Sequence, residues 1–177
     1  MNRYASPIGE DLLVFNPSQL SGLQTSLDGA ESVRLSLQGK LAAHRLCDGD
    51  VLITIRNRPL KASVVPNLGQ ANAVAGQNVA VFRPTSDKIV PTFLAGLLRS
   101  RYGQNLLEPY LSKFSTVSQV SLTDLRELKI PLPLLEVQNT LAKFMLEAER
   151  AERADLERIQ QRRELVEATL AHTLGGR

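Results

Sequence analysis

The feature that most constrains the fold of this chain is a long helical sequence at its C-terminal end. Residues 135–174 contain neither glycine nor proline, and Gly175-Gly176 follows as a natural helix end. Apolar residues recur there every three or four positions, which is the period of one helix face. This stripe consists of Leu141, Met145, Ala148, Leu156, Ile159, Val166, Leu170 and Leu174, and it is interrupted by Glu152 and Arg163. The pattern predicts one continuous helix over residues 135–174.

The length of this helix indicates whether its own domain can cover its apolar stripe. Forty residues at 1.5 Å each make a helix of about 60 Å. A globule of the preceding residues has a diameter of roughly 35–40 Å, so we expect the helix to extend beyond its own domain. An exposed apolar stripe needs a second helix, and we expect a dimer or partner interface on it. Glu152 and Arg163 either fix the register of that interface or face solvent. The alternative is a break near residues 150–155, but no turn former supports it.

Ahead of the helix, the sequence predicts an α/β (α+β) domain over residues 1–133, with the helical part over 134–177. The first 30 residues are rich in turn formers, and we expect irregular structure there. Residues 32–37 alternate apolar and polar side chains, as a half-buried strand does. A hairpin is predicted across residues 50–66, and a further short strand across residues 78–84.

The period then changes to that of a helix. Pro91 starts a helix that ends near Ser100, and a shorter helix is predicted over residues 104–111. Ser121 and Asp124 have the spacing of a capping box, which predicts a brief helical turn. Pro131 and Pro133 cannot sit inside a helix or a central strand, so residues 125–134 lead into an edge strand or an extended connector.

Positive charge is concentrated in one segment of the chain. The net charge is only +3, but residues 34–61 hold six basic and two acidic residues, a local +4. Arg56, Asn57, Arg58 and Lys61 cluster at the predicted hairpin tip. Arginine can bind guanine or phosphate with its fork of donors, and asparagine can pair with adenine, so the tip is a candidate DNA-binding site. The alternative is that a loop tip simply collects solvated charges. Further candidates are Arg34, Lys40, Arg45, Ser118 and Gln119.

Several classes of site are not expected. With a single cysteine, Cys47, and two separated histidines, His44 and His172, we expect no internal disulfide, no metal site and no histidine-dependent catalytic set. No glycine-rich nucleotide loop follows a strand, so we expect no cofactor and no catalysis by this chain. The first residues lack the apolar core of a signal peptide, and no segment reaches about 20 apolar residues. We therefore expect a soluble, cytoplasmic protein without membrane contact.

Three segments resemble the specificity subunits of type I DNA restriction-modification enzymes. The first is RLCDGDVLITIRNRP, which is similar to a turn-plus-strand element of that family. The second is NVAVFRPTSDKIVPTFLAGLLRS, similar to its strand followed by a helix. The third and most specific is FSTVSQVSLTDLRELKIPLPLLEVQNTLAKF, similar to the segment that precedes its long helix. Together they span roughly residues 33–145.

This resemblance implies a target recognition domain that reads one half of a split DNA sequence. Family members carry two such domains and two long helices, whereas this chain has one of each and resembles a half-length form. The resemblance implies double-stranded DNA and a methyltransferase subunit as partners, leaves room for a restriction subunit, and implies pairing through the helix, as a homodimer or with another half. It implies no catalytic role for the chain itself. The alternative hypothesis is a protein-interaction module that uses the helix as a docking rod and binds no DNA.

Overall fold

The computed structural model describes residues 5–27, 29–35, 44–56, 58–68, 71–111 and 119–175. By its internal contacts the chain divides into two compact units, Met1–Ala142 and Lys143–Arg177. The first unit combines sheets and short helices, and the second is helical, so the chain is a mixed α+β protein as predicted.

The first unit contains two three-stranded sheets. In one, the order is β2-β1-β5, with β1 antiparallel to β2 and parallel to β5. In the other, the order is β4-β3-β6, and both pairs are antiparallel. The strands are β1 Ala5–Phe15, β2 Glu31–Leu35, β3 Val51–Thr54, β4 Ala62–Val64, β5 Ala73–Ala75 and β6 Val79–Phe82.

The prediction of irregular structure over the first 30 residues is wrong, because β1 lies there. Its ladder partners are remote in sequence: Asp11 pairs with Arg34, and Leu13 pairs with Ala73. The register shifts between Ala5 and Glu10, so Pro7 and Gly9 fall where the pairing is irregular. Such irregular positions tolerate proline and glycine, which a local reading takes as strand breakers.

The other predicted strands are confirmed where the structure describes them. The predicted hairpin is the antiparallel pair of β3 and β4, and the strand over residues 78–84 is β6. The strand over residues 32–37 corresponds to β2, which ends at Leu35, and the last two residues of that prediction lie outside the described ranges. β5 was not predicted, since three residues carry too little periodicity.

Four helices follow: α1 Pro91–Arg99, α2 Arg101–Leu107, α3 Leu122–Glu127 and α4 Leu135–Gly175. Proline starts α1 as predicted. α2 begins three residues earlier than expected, and a 3-10 turn continues from it. The capping box of α3 is confirmed, because the Ser121 hydroxyl accepts from the Asp124 amide at 3.0 Å. Residues 128–134 form an extended connector without helix or strand.

The core of the first unit joins its two sheets. Phe15 of β1, Leu52 of β3 and Ala73 of β5 are buried in one cluster, together with Leu20 and Val65 from the loops. Every residue of β3 is buried, as expected of a central strand that is covered on both faces. β4 is buried along its whole length as well, so the hairpin that carries the candidate DNA-binding residues is built on two buried strands.

α4 is one continuous helix of 41 residues, about 61 Å long at 1.5 Å per residue. The predicted long helix is confirmed, and the alternative break near residues 150–155 is not present. Gln138 and Ala142 in its first turns are buried within the first unit. In the second unit the apolar stripe is exposed, as Leu156 at 60%, Ile159 at 49% and Leu174 at 76% show.

Candidate nucleic-acid interface

The tip of the β3–β4 hairpin is anchored on α2 by one glutamine side chain. Gln104 accepts from the Leu60 amide at 3.0 Å and donates to the Leu60 carbonyl at 2.9 Å. The same amide nitrogen donates to the carbonyl of Leu98 in α1 at 2.6 Å. Leu60 is itself buried. The loop between the two strands is therefore held by helices as well as by its own ladder.

Two of the predicted DNA-binding residues meet although 63 positions separate them. The Arg56 Nε donates to Gln119 Oε1 at 3.2 Å, and the two residues form an isolated antiparallel bridge. Next to them, the Val120 amide donates to the Ile55 carbonyl at 3.0 Å. Their sequence neighbours Asn57 and Ser118, which were also predicted, lie outside the described residues.

The two other described cations of the tip have different partners. Arg58 forms an ion pair with Glu108, which follows α2. Lys61 Nζ donates to the carbonyl of Pro17 at 3.4 Å. The charge of Arg58 is therefore compensated, whereas the bond of Lys61 is to a neutral oxygen and leaves its charge uncompensated.

Arg34 and Arg45 are held by neighbouring acids of β1. Arg34 makes a two-pronged pair with Asp11, at 3.0 and 2.9 Å. Arg45 donates to Glu10 at 2.6 Å and to Asn72 at 2.5 Å. The hydrogen bond from Arg34 holds the pKa of the Asp11 carboxyl below its ordinary value. Both arginines are thus compensated by carboxylates, and Lys40, the remaining basic candidate, lies outside the described residues.

An ion pair between the buried Asp50 and the exposed Arg83 holds the turn before β3, and the sequence did not reveal it. Asp50 is fully buried and accepts from Arg83 Nε and Nη2, both at 2.7 Å, and from the Cys47 amide at 2.8 Å. Arg83 also donates to the Arg45 carbonyl at 2.8 Å, and its bonds to Asp50 raise its pKa. The partners are 33 residues apart, so no spacing rule connects them. Asp50, which lies in the turn-plus-strand segment that resembles the family, therefore stabilises the fold.

We call Arg56, Arg58, Lys61 and Gln119 the tip cluster. Within the part of the chain that the structure describes, Arg56 and Lys61 are bonded to neutral oxygens and have no acidic partner, whereas Arg58 is paired with an acid. A guanidinium has five N–H donors, and the contact with Gln119 occupies one. The cluster therefore offers uncompensated positive charge and directional donors on an anchored loop, which is what a phosphate backbone or a guanine edge requires.

The first unit also contains a groove of about 860 Å³, whose lining differs in chemistry from the tip cluster. Apolar side chains of β6, α1 and α3 line it, with Arg83, Arg126 and His44 as its polar members. Among the described residues that line it there is no carboxylate, hydroxyl or thiol. The groove therefore presents hydrophobic surface and lacks the paired acid and base groups of a catalytic cleft.

Two further observations concern the described part of the chain. It contains no group of three or more histidine, cysteine, aspartate or glutamate side chains placed to hold a metal ion. None of its helices combines the length and the apolar character that crossing a membrane requires.

Comparison with known proteins agrees with these features. Residues 14–166 match the model of the type I restriction modification DNA specificity domain. A protein assigned as the specificity subunit of the type I restriction enzyme MjaX, from Methanocaldococcus jannaschii, is 32% identical over 123 residues, which are 68% of this chain and 28% of that protein.

Among solved structures, a chain from work on the complex assembly and conformational transition of the type I R-M system is similar, with a TM-score of 0.55 and 26% identity. The match covers 93% of this chain and 39% of that one. The chain thus spans between a quarter and two fifths of the length of these relatives. Because the family model covers most of the sequence, the chain belongs to the type I restriction modification DNA specificity domain family.

Proposed function

We propose that this chain recognises double-stranded DNA as the specificity component of a type I restriction-modification system. The observation that carries the proposal is the anchored tip cluster, in which Arg56, bonded to Gln119, and Lys61, bonded to the Pro17 carbonyl, have no acidic partner among the described residues. Family membership and the similarity to a specificity subunit support it. The chain itself supplies recognition, and a methyltransferase subunit supplies the chemistry.

The geometry of the tip favours readout over diffuse attraction. Gln104 ties the backbone of Leu60 through both its N–H and its C=O, so the loop loses little freedom on binding. Phosphate contacts from Lys61 position a duplex, and the donors of Arg56 and the amide of Gln119 suit base edges. Asn57 and Ser118 adjoin these residues in sequence, and by their chemistry we propose them as further DNA-binding residues.

The test removes the two uncompensated charges of the tip. A gel shift with duplex DNA between 50 and 200 mM salt compares the parent chain with Arg56→Ala/Lys61→Ala, with and without the methyltransferase subunit. We expect affinity to fall about tenfold or more, and the slope of log affinity against log salt to become shallower by about 1, since Lys61 makes the phosphate contact and each such contact contributes about 0.9.

The matched control removes the same charge from α4. Arg150 and Arg153 are exposed helix residues outside the apolar stripe, and Arg150→Ala/Arg153→Ala should leave the slope unchanged. If the control weakens binding as much as the tip variant, the tip is not the DNA-binding site. If no duplex is bound, alone or with the methyltransferase subunit, the proposed function is wrong.

We further propose that α4 is the surface through which the chain pairs and takes its place in the enzyme complex. The support is its exposed apolar stripe, which extends through the second unit. Co-elution of the chain with a methyltransferase subunit, and its loss after Leu156→Gln, tests this part of the proposal independently of DNA.

A second candidate function is a protein-interaction module without DNA binding. The observation that favours it is that three predicted DNA-binding arginines, Arg34, Arg45 and Arg58, are paired with carboxylates. Their positive charge is thus partly neutralised before any nucleic acid approaches. Retention on a heparin column separates the two candidates. The DNA-binding function predicts that the chain is retained and that salt elutes it. The interaction module predicts no retention.

A further inference from the structure

One face of α2 carries exposed hydrogen-bond donors that no sequence pattern indicated. Arg101, Tyr102 and Asn105 are exposed, Tyr102 at 55%. Within the described part of the chain, their side chains form neither an ion pair nor a hydrogen bond. We call these three residues the α2 donors. Each of their polar groups can donate a hydrogen bond and none is an acid, so the set suits an anion.

The α2 donors lie beside the tip cluster. Gln104 holds the backbone of Leu60, and Glu108 pairs with Arg58, so one flank of α2 faces the hairpin loop at two points. Residues three, four or seven apart share a helix face. At 100° per residue, Arg101 lies about 20° around the helix from Glu108. The α2 donors therefore adjoin the tip cluster in space.

α2 packs closely against α1 on its opposite side. Gly103 and Leu107 are buried there, and a Cβ at Gly103 would overlap the Leu97 carbonyl of α1. The Ser100 hydroxyl accepts from the Gly103 amide at 3.1 Å and caps the helix. The backbone of α2 therefore has little freedom to lose when its exposed face binds a ligand.

The ion pair of Arg58 with Glu108 has an electrostatic role on this surface. The two side chains are 38% and 59% exposed, and exposed ion pairs contribute little to folding stability. Residues 101–110 contain a single acid, Glu108, and an uncompensated carboxylate beside the α2 donors would repel a phosphate. Arg58 neutralises that carboxylate, so the α2 face presents the positive charge of Arg101 without an opposing one.

We infer that the α2 donors bind the phosphate backbone of a DNA duplex beside the groove that the tip cluster enters, while Arg58 neutralises Glu108. The major groove is about 12 Å wide and a helix with its side chains is about 10–12 Å across, so the groove holds one such element. With the tip in the groove, α2 lies against the strand at its edge, where phosphates accept from arginine, tyrosine and asparagine. The inference rests on the proposed function and adds a second DNA-binding element to it.

The salt dependence of DNA affinity tests the phosphate contact of Arg101. The full chain, with the methyltransferase subunit where the parent requires it, is titrated with duplex DNA between 50 and 200 mM salt. Arg101→Ala should make the slope of log affinity against log salt shallower by about 0.9, the value for one phosphate. Arg101→Lys keeps the charge and should keep the slope. The control is Lys129→Ala, which removes an exposed charge outside both surfaces and should leave the slope unchanged.

The uncharged donors should respond in a different way. Tyr102→Phe and Asn105→Ala each remove a donor without changing the net charge, so each should lower affinity about threefold and leave the slope unchanged. Far-UV circular dichroism identifies any variant that has lost its fold, and Arg101→Gln replaces Arg101→Ala if the alanine variant does not fold.

Glu108→Gln gives the sharpest test, because the expected effect is a gain. Removing this acid frees Arg58 for a phosphate, so affinity should rise about threefold or more and the slope should steepen by about 0.9. A pair that only held the loop in place would give the opposite sign, since its loss would weaken binding. The control is Asp87→Asn, which removes an exposed acid elsewhere in the first unit and should leave affinity and slope unchanged.

The outcomes separate this inference from the proposed function. Suppose that the parent binds duplex DNA, but Arg101→Ala changes the slope no more than Lys129→Ala does, or Glu108→Gln does not tighten binding. The inference is then overturned, and the proposal of DNA recognition stands. If the parent binds no duplex, alone or with the methyltransferase subunit, the proposed function and the inference are both wrong.

Discussion

Similar apolar residues are buried in the first unit of the chain and exposed in the second. In the first unit, Leu12, Phe15 and Leu52 are completely buried, whereas Leu165 and Leu174 of the second unit are 67% and 76% exposed. A helix gains most of its stability by packing its apolar face, so the first unit is stabilised by a core of its own, whereas the second leaves its apolar face exposed. The hydrophobicity of a residue does not show whether it belongs to a core or to an exposed face, whereas its buried fraction does.

Polar groups show the same contrast. The first unit buries Asp50 and Gln138 and gives each at least three hydrogen bonds. In the second unit, ion pairs such as Arg158 with Asp155 lie on the surface, where they contribute little stability. The first unit should therefore respond strongly to single substitutions, and the second should respond through association.

The largest effect is expected at the buried Asp50. Asp50→Ala removes the carboxylate that accepts from the Arg83 guanidinium and the Cys47 amide, and hydrogen bonds to a charged group contribute about 1.5–3 kcal/mol each. We therefore expect a loss of about 4 kcal/mol in the free energy of unfolding. Urea denaturation followed by circular dichroism measures it. Asp87→Ala, which removes an exposed aspartate, is the control and should cost less than about 0.5 kcal/mol. If both variants lost the same free energy of unfolding, the hydrogen bonds of Asp50 would contribute nothing beyond the negative charge that both aspartates carry.

A matched pair of leucines sharpens the comparison directly. Leu52→Ala removes a fully buried side chain and should cost about 3 kcal/mol. Leu156→Ala removes one that is 60% exposed, and in dilute solution it should change the free energy of unfolding by less than about 0.5 kcal/mol. The second variant should instead raise the dimer dissociation constant. A large loss from Leu156→Ala in the monomer would mean that α4 packs within its own chain.

A smaller effect is expected where α4 begins. The Gln138 amide accepts from the Val90 amide at 2.9 Å and donates to the carbonyls of Lys88 and Pro133 at 2.9 and 2.8 Å. Gln138→Leu leaves these groups unsatisfied and should cost about 2 kcal/mol. The control is Asn139→Ala at an exposed position of the same helix. Faster hydrogen exchange of the Val90 amide in the first variant only would identify the lost contact.

The smallest effect concerns pH. Because Arg34 lowers the pKa of Asp11 in the folded chain, their pair stabilises the fold above the ordinary pKa of an aspartate, and this contribution is lost as the pH falls through the lowered value. Both side chains are exposed, so the shift in melting temperature between pH 6 and pH 3 should differ only slightly between the parent and Asp11→Asn. A large difference would show a more buried pair.

Much of the fold is predictable because its signals are local. The start of α1 at Pro91 and the capping box of Ser121 and Asp124 follow from spacing within a few residues. The continuity of α4 follows from its lack of breakers. β1 was missed because its ladders join residues 17 to 60 positions apart, and no local window contains both partners.

The candidate site was predictable only in part, for the same reason. Counting charge over residues 34–61 found the arginines but not Glu10, Asp11 and Glu108, which neutralise three of them from outside that segment. Gln119 was selected for its chemistry alone, and its contact with Arg56 required the fold. The anchoring role of Gln104 has no sequence signal, since a glutamine in a short amphipathic helix is ordinary.

The exposed apolar stripe of α4, through which we propose that the chain pairs, has a consequence for what such a protein can read. In a symmetric pair of identical copies, a two-fold axis relates every part of one copy to the same part of the other, including the two tip clusters. Identical readers in that relation select a palindromic target, with two inverted half-sites around a spacer that neither touches. A change of DNA specificity in one domain would therefore alter both half-sites together, and an asymmetric target would require a partner of different sequence.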